Sequence, residues 1–278
     1  MMPTTHGEQA STINRDSQAY WNKRAATFTR NATSDYEHWL LDLLALEAGD
    51  EVLDMGCATG TLAVPLARAG HRVHGCDFAE AMLTILDERA AAEHLPITSH
   101  LLAWEDDWEA AGLGTDSVDV AFASRSLMAE AVGPFVAKLD SAARSRAAVV
   151  VPASLLPSCD PRLLTYLGRT AKRPRVVRDV TRALTSLGRI PVVATTRTFR
   201  PMRFSSFDEA RADLRRLAGP EPFTAREQRL FDAYSAQHIV RRAAESPSGE
   251  TSQMWVLDYA LPVTWVFIGW HTDGSPWG

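Results

Sequence analysis

The chain has 278 residues, 46% of them hydrophobic and 23% charged, with a net charge of −5. That length and apolar content suffice for one large folded domain, or a domain with an insertion, and speak against a disordered or fibrous chain. The start MMPTTHGEQAS lacks the regions of a signal peptide and the longest apolar run, YALPVTWVFIGW, is too short to span a bilayer, so a cytoplasmic protein with no membrane partner is expected.

Taken in order, SDYEHWLLDLLALEAG has Ser34 and Glu37 spaced as a capping box, Tyr36, Leu40, Leu43, Leu44 and Ala48 on one stripe and Gly49 as a stop. It predicts an amphipathic helix, and residues 1–50 an N-terminal helical cap. EVLDMG reads as a buried strand. Residues 61–69 read as a helix in which Pro65 is tolerable only in the first turn, where backbone N–H groups lack intrahelical partners. HRVHGCD is the next strand and AEAMLTILDERAAAEH the next helix. Strands at ITSHLLA and SVDVAFAS, a helix over residues 135–144 and a strand at AAVVVPAS follow. Strands separated by helices mean βαβ units and a parallel sheet, hence a doubly wound α/β core over residues 51–202. After Pro157, RVVRDVTRALTSLG predicts a helix and PVVATTRTFR a strand. Ser206 with Glu209, and Thr224 with Glu227, then open two amphipathic helices. Residues 203–250 are expected to be a helical lid. Within residues 251–278, QMWVLDYA and VTWVFIGW are expected to be the last strands of the core.

The stretch VLDMGCATGTLAVPLARAGHRVHGCD, residues 52–77, carries the functional signal. In open α/β sheets ligands sit beyond the carboxyl ends of the strands, near a glycine turn and the next helix N-terminus. The loop 54–60, with Asp54, Gly56, Cys57, Ala58 and Gly60, occupies that place. Its Gly56-x-x-x-Gly60 spacing departs from the G-x-G-x-x-G of dinucleotide sites, and Asp54 would repel a pyrophosphate. An aspartate there suits a cation, and a ligand with an α-amino group and a sulfonium beside a nucleoside is S-adenosylmethionine. Asp77, ending the second strand, is placed to accept both hydroxyls of a ribose. The competing reading, a glycine turn that merely ends a strand, does not account for the joint spacing of the two aspartates and two glycines.

VLDMGCATG, VHGCDFAEAML and SVDVAFAS resemble the first motif, second-strand motif and fourth strand of the class I S-adenosylmethionine-dependent methyltransferases, over about residues 18–160. The resemblance implies the Rossmann-like fold of that family. It also implies that Asp54, Gly56 and Gly60 line the methionine part of the cofactor, that Asp77 binds the ribose and that Phe78 and Met82 border the adenine. LLAWEDDW corresponds to the family's acidic segment, with Glu105 or Asp106 meeting the adenine amino group and Trp104 packing there; local packing of Trp104 and Trp108 in the turn is the alternative. AYWNKRAATF is similar to a segment that folds over the cofactor in several small-molecule members, which implicates Tyr20 and Trp21; a packing staple for the following helix is the alternative. Ala58 departs from the third glycine of many members, which bears on affinity.

Transfer from this cofactor needs mainly alignment of a nucleophile, exclusion of water and handling of one proton. The acceptor should approach from ASRSLMAE at the fourth strand's exit, where Ser124, Arg125 and Glu130 are polar; Arg125 and Glu130 are the catalytic candidates, an ion pair of Arg125 with a neighbouring acid is the alternative, and no general base is assigned. Cys57 reads as a small filler, since no cation activates it. Cys57, Cys76 and Cys159 form no CxxC pair and the histidines no HxH or HExxH spacing, so neither a disulfide framework nor a metal is expected.

Charge is uneven. Residues 1–161 carry net −12, residues 162–242 net +11 and residues 243–278 net −4. Arg197, Arg200 and Arg203 sit on an expected strand and its exit, where a carboxylate or phosphate of a small-molecule acceptor would match their fork geometry. The competing reading is that the basic block docks the lid on the acidic core. A nucleic-acid methyltransferase is disfavoured because the block lacks interleaved aromatics for base stacking; a protein substrate and a non-catalytic cofactor-binding protein stay open. Oligomeric state is not legible.

Overall fold

The computed structural model describes residues 17–25, 28, 34–127, 131–154, 157–170, 174–200, 202–245 and 251–277. Helices α1 (Gln18–Ala25) and α2 (Ser34–Leu44) precede an alternating series: β1 (Glu51–Met55), α3 (Ala63–Arg68), β2 (Arg72–Asp77), α4 (Glu80–Glu93), β3 (Ile97–Leu101), β4 (Val118–Ser124), α5 (Gly133–Ala142) and β5 (Ala143–Pro152). Then come α6 (Pro161–Leu167), α7 (Val176–Ser186), β6 (Val192–Arg200), β7 (Arg203–Phe204), α8 (Phe207–Arg216), α9 (Ala225–His238), β8 (Ile239–Glu245), β9 (Thr251–Leu257) and β10 (Leu261–His271). No helix among them is long and apolar enough to cross a membrane.

Seven strands form one sheet in the order β3-β2-β1-β4-β5-β10-β6. The pairs from β3 to β5 are parallel, while β10 runs antiparallel to both β5 and β6. This is the doubly wound α/β fold that the alternation implied. The central strands are buried on both faces, as parallel strands between helix layers must be. Val52, Val73, Val120 and Phe122 share one apolar cluster with Leu40, Leu66 and Leu86 of α2, α3 and α4. Leu53, Val149, Val151 and Ile268 share the other with Val136 and Leu139 of α5 and Val180 and Leu184 of α7. Pro65 is the third residue of α3, in the first turn, where its missing N–H costs nothing.

Two boundaries moved. α5 ends at Ala142 rather than at 144, and β5 follows without a loop because residues 143–146 pair with β4 at Val118 and Val120. α6 was not anticipated; Asp160 caps its N-terminus through Arg162 N and Leu163 N, and Gly168 closes it in a left-handed conformation.

The larger correction concerns the segment between β6 and β10. It is not purely helical: α8 and α9 are joined by a three-stranded antiparallel sheet in the order β7-β9-β8. QMWVLDYA therefore supplies a strand of the insertion, not of the core. β9 pairs with β8 along one edge, from Ile239↔Leu257 to Glu245↔Thr251, and with β7 at Val256 and Trp255 on the other, which places it at the centre of the small sheet. Thr224 and Glu227 form the full capping box of α9. At α8 the Ser206 side chain accepts from Glu209 N, while Glu209 reaches back to Ser205 N instead. The cap of α2 at Ser34 lies outside the described side chains.

Four arginines of the basic block find acidic partners within it. Arg169 pairs with Glu227 at 2.6 Å, Arg216 with Asp213, Arg178 with Asp179 and Arg211 with Asp232. Arg189, bound to Asp140 of α5 at 2.8 Å, reaches the acidic part of the chain.

Candidate functional site

Asp54 and Asp77 lie at the carboxyl ends of the adjacent parallel strands β1 and β2 and are 2% and 6% exposed. Parallel strands end on one side of the sheet, so every turn leaving β1, β2, β3 and β4 opens there. The turn after β1 folds under the end of β2: Gly56 N and Cys57 N both donate to Cys76 O, at 2.7 and 2.9 Å. Gly56 has φ +82°, and a Cβ there would stand 2.1 Å from Ser126 Cβ, so only glycine fits. Gly60, at φ +81°, is closed off in the same way by Leu86. Ala58 holds φ +49° with its methyl in place, a strained backbone where a glycine would sit freely.

The Asp77 carboxylate accepts from Ala58 N and Ala79 N, each at 2.9 Å, and so ties the loop to the entry of α4. Burial raises its pKa and these backbone donors pull it back. Asp54 makes no side-chain hydrogen bond among the described residues. Burial, with Asp77 adding repulsion and Arg125 opposing, pushes its carboxyl up to about 8. A pair of buried carboxylates, one without a hydrogen-bond partner among the described residues, is a donor set suited to a cationic ligand that also carries hydroxyls. Cys57 is buried, and burial with both aspartates raises its thiol pKa well above the ordinary value, which rules out an activated nucleophile. Its sulfur would lie 3.2 Å from a Cβ at Gly75, a second close approach that spacing alone did not reveal.

The adenine-side residues fall beside these. Phe78 is half-buried next to Asp77, and Leu101, paired with Asp77 across β3, is 56% exposed. Met82 is buried with Ala25 and Ala79, packed against α1. Trp104 stacks with Trp108 and Phe135 at 5.6 and 5.2 Å and donates to Ser126 O at 3.3 Å. Glu105 and Asp106 are both exposed; Asp106 accepts from Ala103 N in its own turn, whereas Glu105 makes no such bond among the described residues. α1 sits over α4: Gln18 Nε2 donates to Phe78 O at 2.7 Å and Ala81 N to Asn22 Oδ1 at 3.0 Å. Trp21 packs on that cluster and Tyr20 against Trp21 at 5.4 Å.

At the end of β4 stands a group that the sequence showed only in part. Ser124 Oγ and Tyr36 Oη of α2 are 2.6 Å apart. Arg125 has φ +62°, a strained backbone for so large a residue, and strain of this kind persists where surrounding structure enforces it. Its guanidinium lies 4.3 Å from the Tyr36 ring and 5.5 Å from the Trp265 ring, half-buried, with no side-chain hydrogen bond among the described residues. Burial raises the Tyr36 pKa, and Arg125 and Ser124 moderate the shift. Tyr36 read only as a helix-stripe residue and Trp265 only as part of a strand; no short-range pattern connects them to Arg125.

Glu130 lies outside the described residues, as does the side chain of Arg200. Arg197 does not join the site. It pairs with Thr264 on β10, while the next pair, Thr196 with Trp265, belongs to the other face of the sheet. Strand side chains alternate, so Arg197 is exposed on the side away from Trp265 and Arg125. Arg203, on β7, is exposed in the insertion. His74 and His100 meet on adjacent strands, ring nitrogens 3.0 Å apart, with Glu51 on the far nitrogen of His74. No group of three metal-ligating side chains gathers among the described residues.

Residues 52–145 match a family model described as a methyltransferase domain. An uncharacterized protein of Haemophilus influenzae is 32% identical over 132 residues, which are 45% of this chain and 47% of that protein. Glycine N-methyltransferase of Oryctolagus cuniculus is 34% identical over 99 residues, 32% of this chain and 34% of the enzyme. The chain thus spans less than half the length of these curated relatives. The crystal structure of geranyl diphosphate C-methyltransferase from Streptomyces coelicolor, in complex with Mg2+, geranyl diphosphate and S-adenosyl-L-homocysteine, has the same fold: TM-score 0.50 at 14% identity, over 91% of this chain and 83% of that one.

Proposed function

Residues 52–145 being a methyltransferase domain of the class I S-adenosylmethionine-dependent type, we propose that this chain transfers a methyl group from that cofactor to a small acceptor carrying a carboxylate or phosphate. When bound, S-adenosylmethionine supplies a methyl already activated by its sulfonium, so the chain's own residues need only bind, orient and exclude water. Asp54 offers a carboxylate to the cationic methionine end, and Asp77 a carboxylate to the ribose hydroxyls, fixed in direction by Ala58 N and Ala79 N. Phe78, Leu101 and Trp104 provide apolar surface for the base, with Glu105 the freer of the two acids for its amino group.

The observation that carries the acceptor reading is Arg125. A half-buried guanidinium, braced by two aromatic rings on a strained backbone and making no side-chain hydrogen bond among the described residues, presents its donors where an acceptor must enter. Arginine in that setting suits a planar anion. The relative named for glycine, itself a small carboxylate, supports the same class. Tyr36 and Ser124 share a hydrogen bond beside it and can position the nucleophile or take its proton.

The test is transfer of label from methyl-labelled cofactor to panels of small carboxylates, phosphates and neutral analogues. Anionic acceptors should take the label. Charge-assisted hydrogen bonds are worth about 1.5–3 kcal/mol, so Arg125→Met should lower kcat/KM about ten- to hundred-fold while S-adenosylhomocysteine still binds. Equal labelling of neutral analogues, or an unaffected Arg125→Met, would overturn the assignment.

A further inference from the structure

β6 is the last strand of the seven-stranded sheet, and among the described residues no strand pairs with its outer edge. It is nine residues long, VVATTRTFR. Its even-numbered residues face the buried cluster that contains α2, with Val192 and Ala194 packed there. The odd-numbered ones are exposed, Val193 at 54% and Phe199 at 64%, with Ile190 at 51% just before the strand. A long edge with open backbone groups and large apolar side chains is a template for another strand, and native proteins blunt such edges unless they use them. Here one charge, Arg197, interrupts the exposed row.

We propose that this edge is the dimer interface of the protein, with β6 pairing antiparallel to β6 of a second copy about a two-fold axis at Thr196. The strand's own sequence selects the occupant and the register. A perpendicular two-fold must pair residues of the same parity, so the central choices place the axis at residue 195, 196 or 197. An axis at 197 sets Arg197 against its own copy, a like-charge pair that is unfavourable. An axis at 195 sets Val193 against Arg197 of the second copy and leaves Phe199 beyond the strand. An axis at 196 sets Val193 against Phe199 and Thr195 against Arg197, twice each, and on the other face Ala194 against Thr198 and Thr196 against itself. Aromatic with β-branched and threonine with threonine are favourable cross-strand pairs, and each arginine meets a neutral hydroxyl rather than another cation. The dimer satisfies both backbone edges, covers the exposed valines and phenylalanines and joins the two sheets into one.

Sedimentation of the full chain over a concentration series tests this. The wild type should run at twice its chain mass, and Val193→Glu or Phe199→Glu should halve it while circular dichroism and S-adenosylhomocysteine binding stay unchanged, since both side chains are exposed. In a Cys159→Ser background, Thr196→Cys should form an interchain disulfide on oxidation and Thr195→Cys should not, because only an axis at 196 brings Thr196 to within disulfide range of its copy. A monomeric wild type at all concentrations, a dimer indifferent to the glutamates, or cross-linking at 195 in place of 196 would overturn the proposal. So would a chain that dimerises only after residues 1–16 are removed, which would show its own N-terminal segment on the strand.

Discussion

If Asp54 holds the cationic end of the cofactor as proposed, its protonation is coupled to binding. Its folded-state pKa, about 8, stands above the ordinary 3.8, so the folded protein holds a proton that the unfolded chain releases. Stability from this group is therefore full below pH 3.8 and is lost as pH rises from there toward 8. A cation at the carboxylate favours the ionised form, so its binding expels the proton. We expect cofactor affinity to rise with pH up to about 8, and calorimetry in buffers of different ionisation enthalpy to register proton release below it. Asp54→Asn should flatten the dependence, and Arg125→Met, by removing the charge that opposes the shift, should move it to higher pH. An affinity already flat across this range in the wild type would refute the assignment of Asp54. Asp54, Gly56, Gly60 and Asp77 were legible because a strand, a turn and the next strand are contiguous in sequence. Tyr36 and Trp265 were not, because α2 and β10 come from opposite ends of the chain and meet Arg125 only through the fold.

Among the elements, α1 caps α4, a contact that its sequence did not suggest; the resemblance implied a segment folding over the cofactor. α4 starts at Glu80 with no side-chain cap from its own N-cap residue, Ala79. Asn22 supplies one from α1 by accepting from Ala81 N, and Gln18 holds the carbonyl of Phe78 one turn earlier. The two contacts follow Asp77 directly and fix the elbow to which the proposed ribose and base contacts belong. A cap of this kind is worth about 0.5–2 kcal/mol, and about 1.4 kcal/mol is tenfold in affinity. Asn22→Ala should then weaken cofactor binding several-fold with little change in melting temperature, and Asn22→Asp, which keeps the acceptor oxygen, should restore it. If Asn22→Ala binds normally, α1 is a packing staple only. The βα alternation was readable because parallel strands are continuous apolar runs. β8 was not, since Ile239 follows His238 of α9 with no glycine or proline between them. β9 read correctly as a strand, but a strand's own residues do not name its partner. Its assignment to the insertion depends on β8, the element that was missed.

At the scale of the whole molecule, the chain joins a cofactor-binding sheet to an α+β insertion through the short passages at residues 200–203 and 257–261, and Asp160 is the node between them. Its carboxylate is fully buried. It caps α6, accepts Tyr259 Oη at 2.5 Å from the segment that returns to β10, and through Tyr259 reaches Tyr234 of α9 at 3.0 Å. Its backbone N–H donates to Leu217 O, past the end of α8. Burial and the bond to Asp160 both raise the Tyr259 pKa, so its hydroxyl stays a donor across the accessible pH range. Asp160→Ala would remove the cap and take the acceptor from the half-buried Tyr259 hydroxyl, at a cost of up to about 1–3 kcal/mol for the lost acceptor. Because this loss falls on contacts of the insertion and none on β1, β2 or their loops, hydrogen exchange should quicken in α6, α9, β8 and β9 while β1, β2 and β4 keep their protection. Melting temperature should fall by several degrees, and cofactor affinity should stay within about twofold. Tyr259→Phe, which leaves the cap intact, should give a smaller fall in the same pattern. Cofactor affinity falling in step with stability would mean instead that the insertion and the sheet unfold as one unit, and the division of labour between them would have to be abandoned.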